Sequence, residues 1–194
     1  MSNNLFQKLQ EKIGCQPLQK IDANTLQVVE DVTTPNEERF SQAVVPTVLT
    51  ALYKFSRTND GAEKILNGDI ETNWTDIIFD DKKTEIISKV VAYSYHQTAT
   101  VITKINVVAK AAILLIREEV TATGSIADVK TVLANSLDEV LLYLPTSMHI
   151  GVLLHDGELD DSTHKMEGPI SSIMTAIGNV FSPSDEEETN LPKQ

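Results

Sequence analysis

The sequence predicts an all-α fold, an irregular bundle of seven to nine short helices around a central apolar helix at about residues 101–120. Apolar residues recur at spacings of three and four along the chain, which is the period of a helix with one buried face. Strict alternation of apolar and polar residues, which is typical of a half-buried strand, is nearly absent. Most of the 8 glycines and 7 prolines fall between periodic segments, where helices end.

Two helices are predicted before residue 56. The first carries an apolar stripe at Leu5, Leu9 and Ile13 and ends at Gly14, a natural C-cap. The second is expected to begin at Thr34-Pro35, with threonine as N-cap and proline as the first helical residue. Proline inside a helix removes one backbone hydrogen bond, so Pro46 is expected to kink or break this helix near residues 42–46.

The middle of the chain predicts two short helices, a longer one and the central one. The short helices run from Asp60 to Asn67 and from about Asn73 through Phe79. Asp80 or Asp81 caps the longer helix, and a break is expected at residues 97–100. The segment 105–116 is apolar on nearly all sides, which favours a position at the centre of the fold.

Two capping boxes predict two separate helices near the end of the fold. Ser125 with Asp128 begins one and Ser136 with Glu139 begins the other, each serine oxygen accepting from a free backbone amide. Pro145 is expected to stop the second helix, and residues 148–154 form a short apolar turn or helix.

The last segment predicts a polar loop, one more helix and a tail. Pro169 begins an amphipathic helix that ends near residue 181. The rest, SPSDEEETNLPKQ, has the composition of a disordered tail. We therefore expect a single helical domain at residues 1–181 and an acidic tail at residues 182–194.

The charge and cysteine content exclude several classes of protein. The 28 acids against 16 bases give a net charge of −12, which argues against binding to nucleic acid or to an anionic membrane surface. The stretch 105–116 is too short to span a bilayer, so no membrane insertion is expected. The single cysteine, Cys15, and the absence of a secretory pattern at the start predict a cytoplasmic location. The alternative is export by a route that reads no N-terminal signal.

One group of residues has the chemistry of a metal site. Imidazole and carboxylate side chains together suit zinc, iron or manganese. Their spacing here matches no ligand motif, and a solvated acidic loop between two helices is the favoured interpretation. No cofactor is therefore predicted. The candidates are His149, His155, Asp156, Asp160, Asp161 and His164.

The sequence carries no pattern that indicates catalysis. Phosphate-binding loops, nucleophile elbows, zinc-peptidase motifs and paired cysteines are all lacking. Cys15 paired with a histidine is a possible nucleophile, but nothing near it in sequence supplies the positive field that a thiolate needs. A small apolar role in the core is the preferred interpretation of Cys15.

Three stretches resemble the YidB-like family of bacterial helical proteins. They are QAVVPTVLTAL at residues 42–52, DGAEKIL at 60–66 and YLPTSMHIGVLL at 143–154. The likeness covers roughly residues 3–155. It implies an all-helical fold and brings no activity with it.

The favoured functional hypothesis is a non-enzymatic helical module that acts by contact with a protein partner or with copies of itself. Its interface candidates are apolar residues near the end of the chain. A metal-dependent enzyme that uses the 149–164 histidines and acids is the alternative, and a carrier of an apolar ligand beside the central helix is the third. The interface candidates are Met148, Ile150, Ile170, Ile173 and Ile177.

Overall fold

The computed structural model describes residues 4–21, 34–120 and 124–154, and these form an all-α fold without strands. The boundary expected at residues 181 and 182, the acidic tail and the last amphipathic helix lie outside the described residues. The helices are α1 (Leu5–Ile13), α2 (Asn36–Ser56), α3 (Asn59–Asn67), α4 (Trp74–Phe79), α5 (Lys83–Ser94), α6 (Thr98–Glu119), α7 (Ile126–Leu141) and α8 (Ile150–Leu153). Short 3-10 turns at Asp80–Lys82 and Thr146–Met148 precede α5 and α8.

The predicted caps at Gly14 and Ser125 are confirmed, whereas α3 has a cap that was not predicted and α5 begins at Lys83 without the expected cap at Asp80 or Asp81. Gly14 ends α1 in the left-handed conformation, with φ of 66°, as glycine at that position readily does. The Thr58 side chain accepts from the amide of Gly61 and so caps α3. Ser125 and Asp128 form the predicted capping box of α7. The second helix begins one residue later than predicted, with Pro35 as its N-cap.

The second capping box was predicted wrongly, because α7 continues through Ser136 to Leu141 without a break. The Ser136 hydroxyl donates to the backbone oxygens of Leu133 (2.9 Å) and Val132 (3.3 Å), one turn earlier in the same helix. A serine can satisfy its hydroxyl in this way inside a helix, so the motif alone does not define an N-terminus.

The helix α2 is buried on every side from Arg39 to Leu52, and it runs unbroken through Pro46. The expected break at Pro46 is therefore wrong, and the kink that was its alternative stays a prediction. A proline within a helix is tolerated when the packing around it outweighs one lost hydrogen bond. The helix α2 packs against α1, α3, α4, α5, α6 and α7.

The helix α6 packs against α1, α2, α3, α4, α5 and α7, but one of its sides is exposed. Val107 is 58% exposed and Leu114 is 39% exposed. The prediction that this helix is enclosed on all sides is therefore wrong for one side of it. The sequence predicted α6 at the centre because it is the more apolar of the two long helices. The polar residues of α2 gave no indication that α2 is the helix enclosed from Arg39 to Leu52.

Two polar residues of α6 hold its short neighbours in place. Asn106 accepts from the backbone amide of Trp74 at 2.9 Å, which caps α4. Arg117 donates from Nε to the backbone oxygen of Ile65 (2.7 Å) and from Nη2 to that of Gly68 (2.6 Å). These bonds satisfy carbonyl groups at the end of α3, and the partial burial of the guanidinium lowers its pKa.

Burial predicts a sharp contrast between a leucine in the middle of α7 and the leucine that follows its last residue. Leu133 is 1% exposed, whereas Leu142 is 49% exposed. We expect Leu133→Ala to lower the free energy of unfolding by about 2–5 kcal/mol, because it leaves a cavity. Leu142→Ala, the matched control, should cost less than about 1 kcal/mol. Urea denaturation followed by circular dichroism measures both, and equal losses would contradict the packing described.

Candidate functional site

The predicted metal cluster is described only at one of its members. His149 is exposed, with a left-handed backbone φ of 48°, in the turn before α8. Within residues 4–21, 34–120 and 124–154, no three histidine, cysteine or acidic side chains form a group that could hold a metal ion. The other candidates, His155, Asp156, Asp160, Asp161 and His164, lie outside the described residues, so a metal site there stays a prediction.

Two of the predicted interface residues belong to the core. Met148 and Ile150 are each 1% exposed, because the 3-10 turn and α8 fold back against α5. A side chain enclosed by its own chain is not available to a partner, and this corrects the prediction for both residues. Ile170, Ile173 and Ile177 lie outside the described residues.

Cys15 lies at the edge of an open groove of about 310 Å³ between α1 and the end of α7. Burial raises the pKa of the Cys15 thiol, although a hydrogen bond with Ser41 partly opposes this. A nucleophilic cysteine needs the opposite shift. No residue of α6, beside which an apolar-ligand pocket was expected, lines this groove, which is formed by α1, the segment after it, Glu139 and Tyr143.

Residues spaced by three and four along α6 form an exposed stripe, which we call the α6 stripe. Val107 and Leu114 are exposed and Ala111 between them is half-buried. Lys104 precedes these three residues and Glu118 follows them. This 3-4 spacing places all five on one side of the helix.

The two ends of the α6 stripe carry opposite charges that are paired within the chain. Lys104 donates to Oε1 of Glu37 at 2.6 Å, and its ammonium lies 5.1 Å from the ring centroid of Phe40. At the other end, Lys12 of α1 donates to Glu118 at 3.0 Å. Both pairs are partly exposed, so each contributes little to stability and remains accessible to further charges.

The Glu37 end of the stripe is a small charged cluster. Oε2 of Glu37 lies 3.3 Å from Nε2 of His96, whose ring packs at 5.4 Å from that of Phe40. The hydrogen bond from Lys104 is the largest cause that lowers the pKa of the Glu37 carboxyl, and His96 adds to it. The cluster ties the start of α2 to the start of α6.

The α6 stripe was missed at the level of sequence because nearly every position of 105–116 is apolar. The spacing of Lys104, Val107, Ala111, Leu114 and Glu118 was nevertheless present in the sequence. It becomes distinct only when the buried side, centred on Ile105, Ala109 and Ile113, is known. An all-round apolar helix does not indicate which side faces outward.

By length and composition α6 is also apolar enough to cross a membrane. This is weak evidence, since a long core helix of a globular protein meets the same criteria. Less than half of the most apolar stretch of α6 is buried. The earlier expectation of no membrane insertion depended on the shorter stretch 105–116, and it stays a prediction.

Comparison of the chain with protein-family models, curated proteins and solved structures gives no match. The resemblance to the YidB-like family therefore stays a prediction.

The environment of Cys15 predicts a thiol that reacts slowly. Because its pKa is raised by burial, the fraction of reactive thiolate near neutral pH should be below that of a free cysteine. We expect folded protein to react with a disulfide reagent several-fold more slowly than the same protein unfolded in urea, which serves as the control. A folded protein that reacts faster than the unfolded chain would restore Cys15 as a candidate nucleophile.

The Glu37 cluster predicts a pH-dependent contribution to stability. The pKa of Glu37 is lowered from its ordinary 4.5, so the contribution is present above 4.5 and is lost as the pH falls through the folded pKa. We expect Glu37→Gln to destabilise the protein by less than about 1 kcal/mol at neutral pH, because the pair is exposed. Urea denaturation over a series of pH values should show that the difference in free energy of unfolding between wild type and Glu37→Gln decreases in acid.

Glu38→Gln is the matched control for that series, since Glu38 lies in the same first turn of α2 and shares its helix dipole. A difference between wild type and Glu37→Gln that persists unchanged in acid would contradict the assigned pairing.

Proposed function

We propose that this protein is a non-enzymatic helical module that acts by protein–protein contact, and that the α6 stripe is its contact surface. The observation that carries the proposal is the alignment of exposed apolar residues on one side of α6. Val107 and Leu114 are seven residues apart on that side, with Ala111 between them. Single exposed apolar residues are ordinary on protein surfaces, whereas exposed apolar residues aligned on one side of a helix can form part of an interface.

The finer description of the fold belongs to the same proposal. We take the chain to be a bundle of seven to nine helices. Most of them are short, and the two long ones, α2 and α6, are the central members. Both pack against α1, α3, α4, α5 and α7, and against each other, which supports it. We also take the protein to be cytoplasmic, where a lone thiol such as Cys15 stays reduced.

The proposal predicts that one charged substitution on the α6 stripe abolishes assembly. Leu114→Asp places a carboxylate in an apolar contact, where an unpaired charge is costly. We expect wild-type protein to have a mass above the 21.4 kDa of one chain in light scattering, and Leu114→Asp to have the mass of one chain. Circular dichroism should show unchanged helix content, because Leu114 is 39% exposed.

Leu142→Asp is the matched control, because it makes the same change at an exposed leucine away from α6. It should retain the wild-type mass. A wild-type protein that has the mass of one chain, both alone and as isolated gently from its own cells, would overturn the proposal. Equal loss of assembly in the two variants would overturn the assignment of the surface to α6.

A further inference from the structure

We propose that the partner of the α6 stripe is a second copy of this chain, paired antiparallel along α6 with a two-fold axis beside Ala111. The inference depends on the proposed function, since it assumes that the stripe is a contact surface. It adds the identity of the partner, the orientation of the two helices and the residue at the axis.

The spacing of the stripe makes it complementary to itself when it is reversed. Lys104 lies seven residues before Ala111, and Glu118 lies seven residues after it. At a rise of about 1.5 Å per residue, both charges are therefore about 10 Å from the axis. An antiparallel pair places Lys104 of each copy level with Glu118 of the other.

The apolar residues of the stripe match in the same register. Val107 lies four residues before Ala111, and Leu114 lies three residues after it. Reversal thus brings Val107 of one copy within about 1.5 Å, along the axis, of Leu114 of the other. The small side chain of Ala111 at the axis permits the close approach of two helices, whose axes usually lie about 8–10 Å apart.

The charges decide between the antiparallel and the parallel orientation. A parallel pair in register would place Lys104 against Lys104 and Glu118 against Glu118, which is repulsive. The antiparallel pair brings the Lys104–Glu37 pair of one copy to the Glu118–Lys12 pair of the other, so that charges of opposite sign alternate. Exposed ion pairs contribute little affinity, so their role is to select orientation while the apolar residues supply the binding.

A single new cysteine at the axis tests the geometry. Cys15 is the only native cysteine, so Cys15→Ser removes the background. In this variant, Ala111→Cys should give a disulfide-linked dimer on mild oxidation, visible at twice the chain mass on a non-reducing gel. The control is Val107→Cys on the same stripe. Its two copies would lie roughly 12 Å apart along the axis, beyond the roughly 7 Å that a disulfide spans between Cα atoms.

The outcomes of the cross-linking separate this inference from the proposed function. A dimer with Ala111→Cys and none with Val107→Cys supports the inference. Equal cross-linking at both positions indicates a parallel or random encounter and overturns it. No cross-link in a protein whose assembly is still lost with Leu114→Asp overturns the second copy and keeps the proposed function. No cross-link in a protein that has the mass of one chain, both alone and as isolated gently from its own cells, overturns both, and is the result if another segment of the same chain covers the stripe.

Charge reversal gives a second, independent test by analytical ultracentrifugation. Lys104→Glu should weaken dimerisation by about tenfold, since symmetry places it against Glu118 twice. Adding Glu118→Lys should restore dimerisation in the antiparallel pair. Within one chain, by contrast, the double variant places a carboxylate beside Glu37 and an ammonium beside Lys12, which is repulsive at both ends of the stripe. Recovery in the double variant therefore supports contact between copies, and a further loss overturns it.

Discussion

The helix α2 lies in the interior with its polar groups as well as its apolar ones, and all of its buried hydroxyl and amide side chains except Thr50 make hydrogen bonds. The Gln42 amide among them joins α2 to two other parts of the chain. A buried polar group without a partner costs roughly as much as several lost apolar contacts. Thr47 donates to the backbone oxygen of Ala43 at 2.6 Å and Ser41 donates to that of Glu37 at 3.1 Å, both within the helix. Gln42 is 5% exposed and must find its partners elsewhere.

The Gln42 amide meets that requirement by joining three parts of the chain. Its Oε1 accepts from the amide of Gln19 at 2.9 Å, and its Nε2 donates to the backbone oxygens of Gln19 (3.0 Å) and Tyr143 (2.6 Å). These bonds hold the extended segment after α1 against α2 and against the end of α7. The ring of Tyr143 then packs on Phe6 of α1, with 4.6 Å between the centroids. One buried amide thereby orders the segment that borders the Cys15 groove.

The enclosure of α2 also explains why α6 has a side left exposed. Both long helices share α1, α3, α4, α5 and α7 as neighbours, and those helices cover α2 on every side from Arg39 to Leu52. The polar residues Asn106 and Arg117 of α6 are used to cap α4 and to close the end of α3, so they face inward neighbours. The outward side is left to Val107, Ala111 and Leu114, which make no such bonds.

Local patterns in the sequence predicted some helix ends correctly, because a cap depends on a few adjacent residues. Gly14 and Ser125 are examples, since the backbone conformation and the side-chain bond are both local. The wrong predictions at Ser136 and Met148, and the expected break at Pro46 that does not occur, have a different origin. Whether a proline or a serine interrupts a helix, and whether an apolar turn is enclosed, depends on packing against helices far away in the chain. The exposed side of α6 could not be predicted for the same reason.

The charges at the end of α6 are the last element that packing determines. Glu118 and Glu119 lie in the final turn, where the helix dipole disfavours anions. The chain compensates with Lys12 and Lys8 of α1, which bind them at 3.0 and 2.8 Å. A stripe with a cation towards one end and an anion towards the other has no net preference for a uniformly charged partner. Its complement is a surface with the reverse order of charges, and the reversed stripe of another copy has that order.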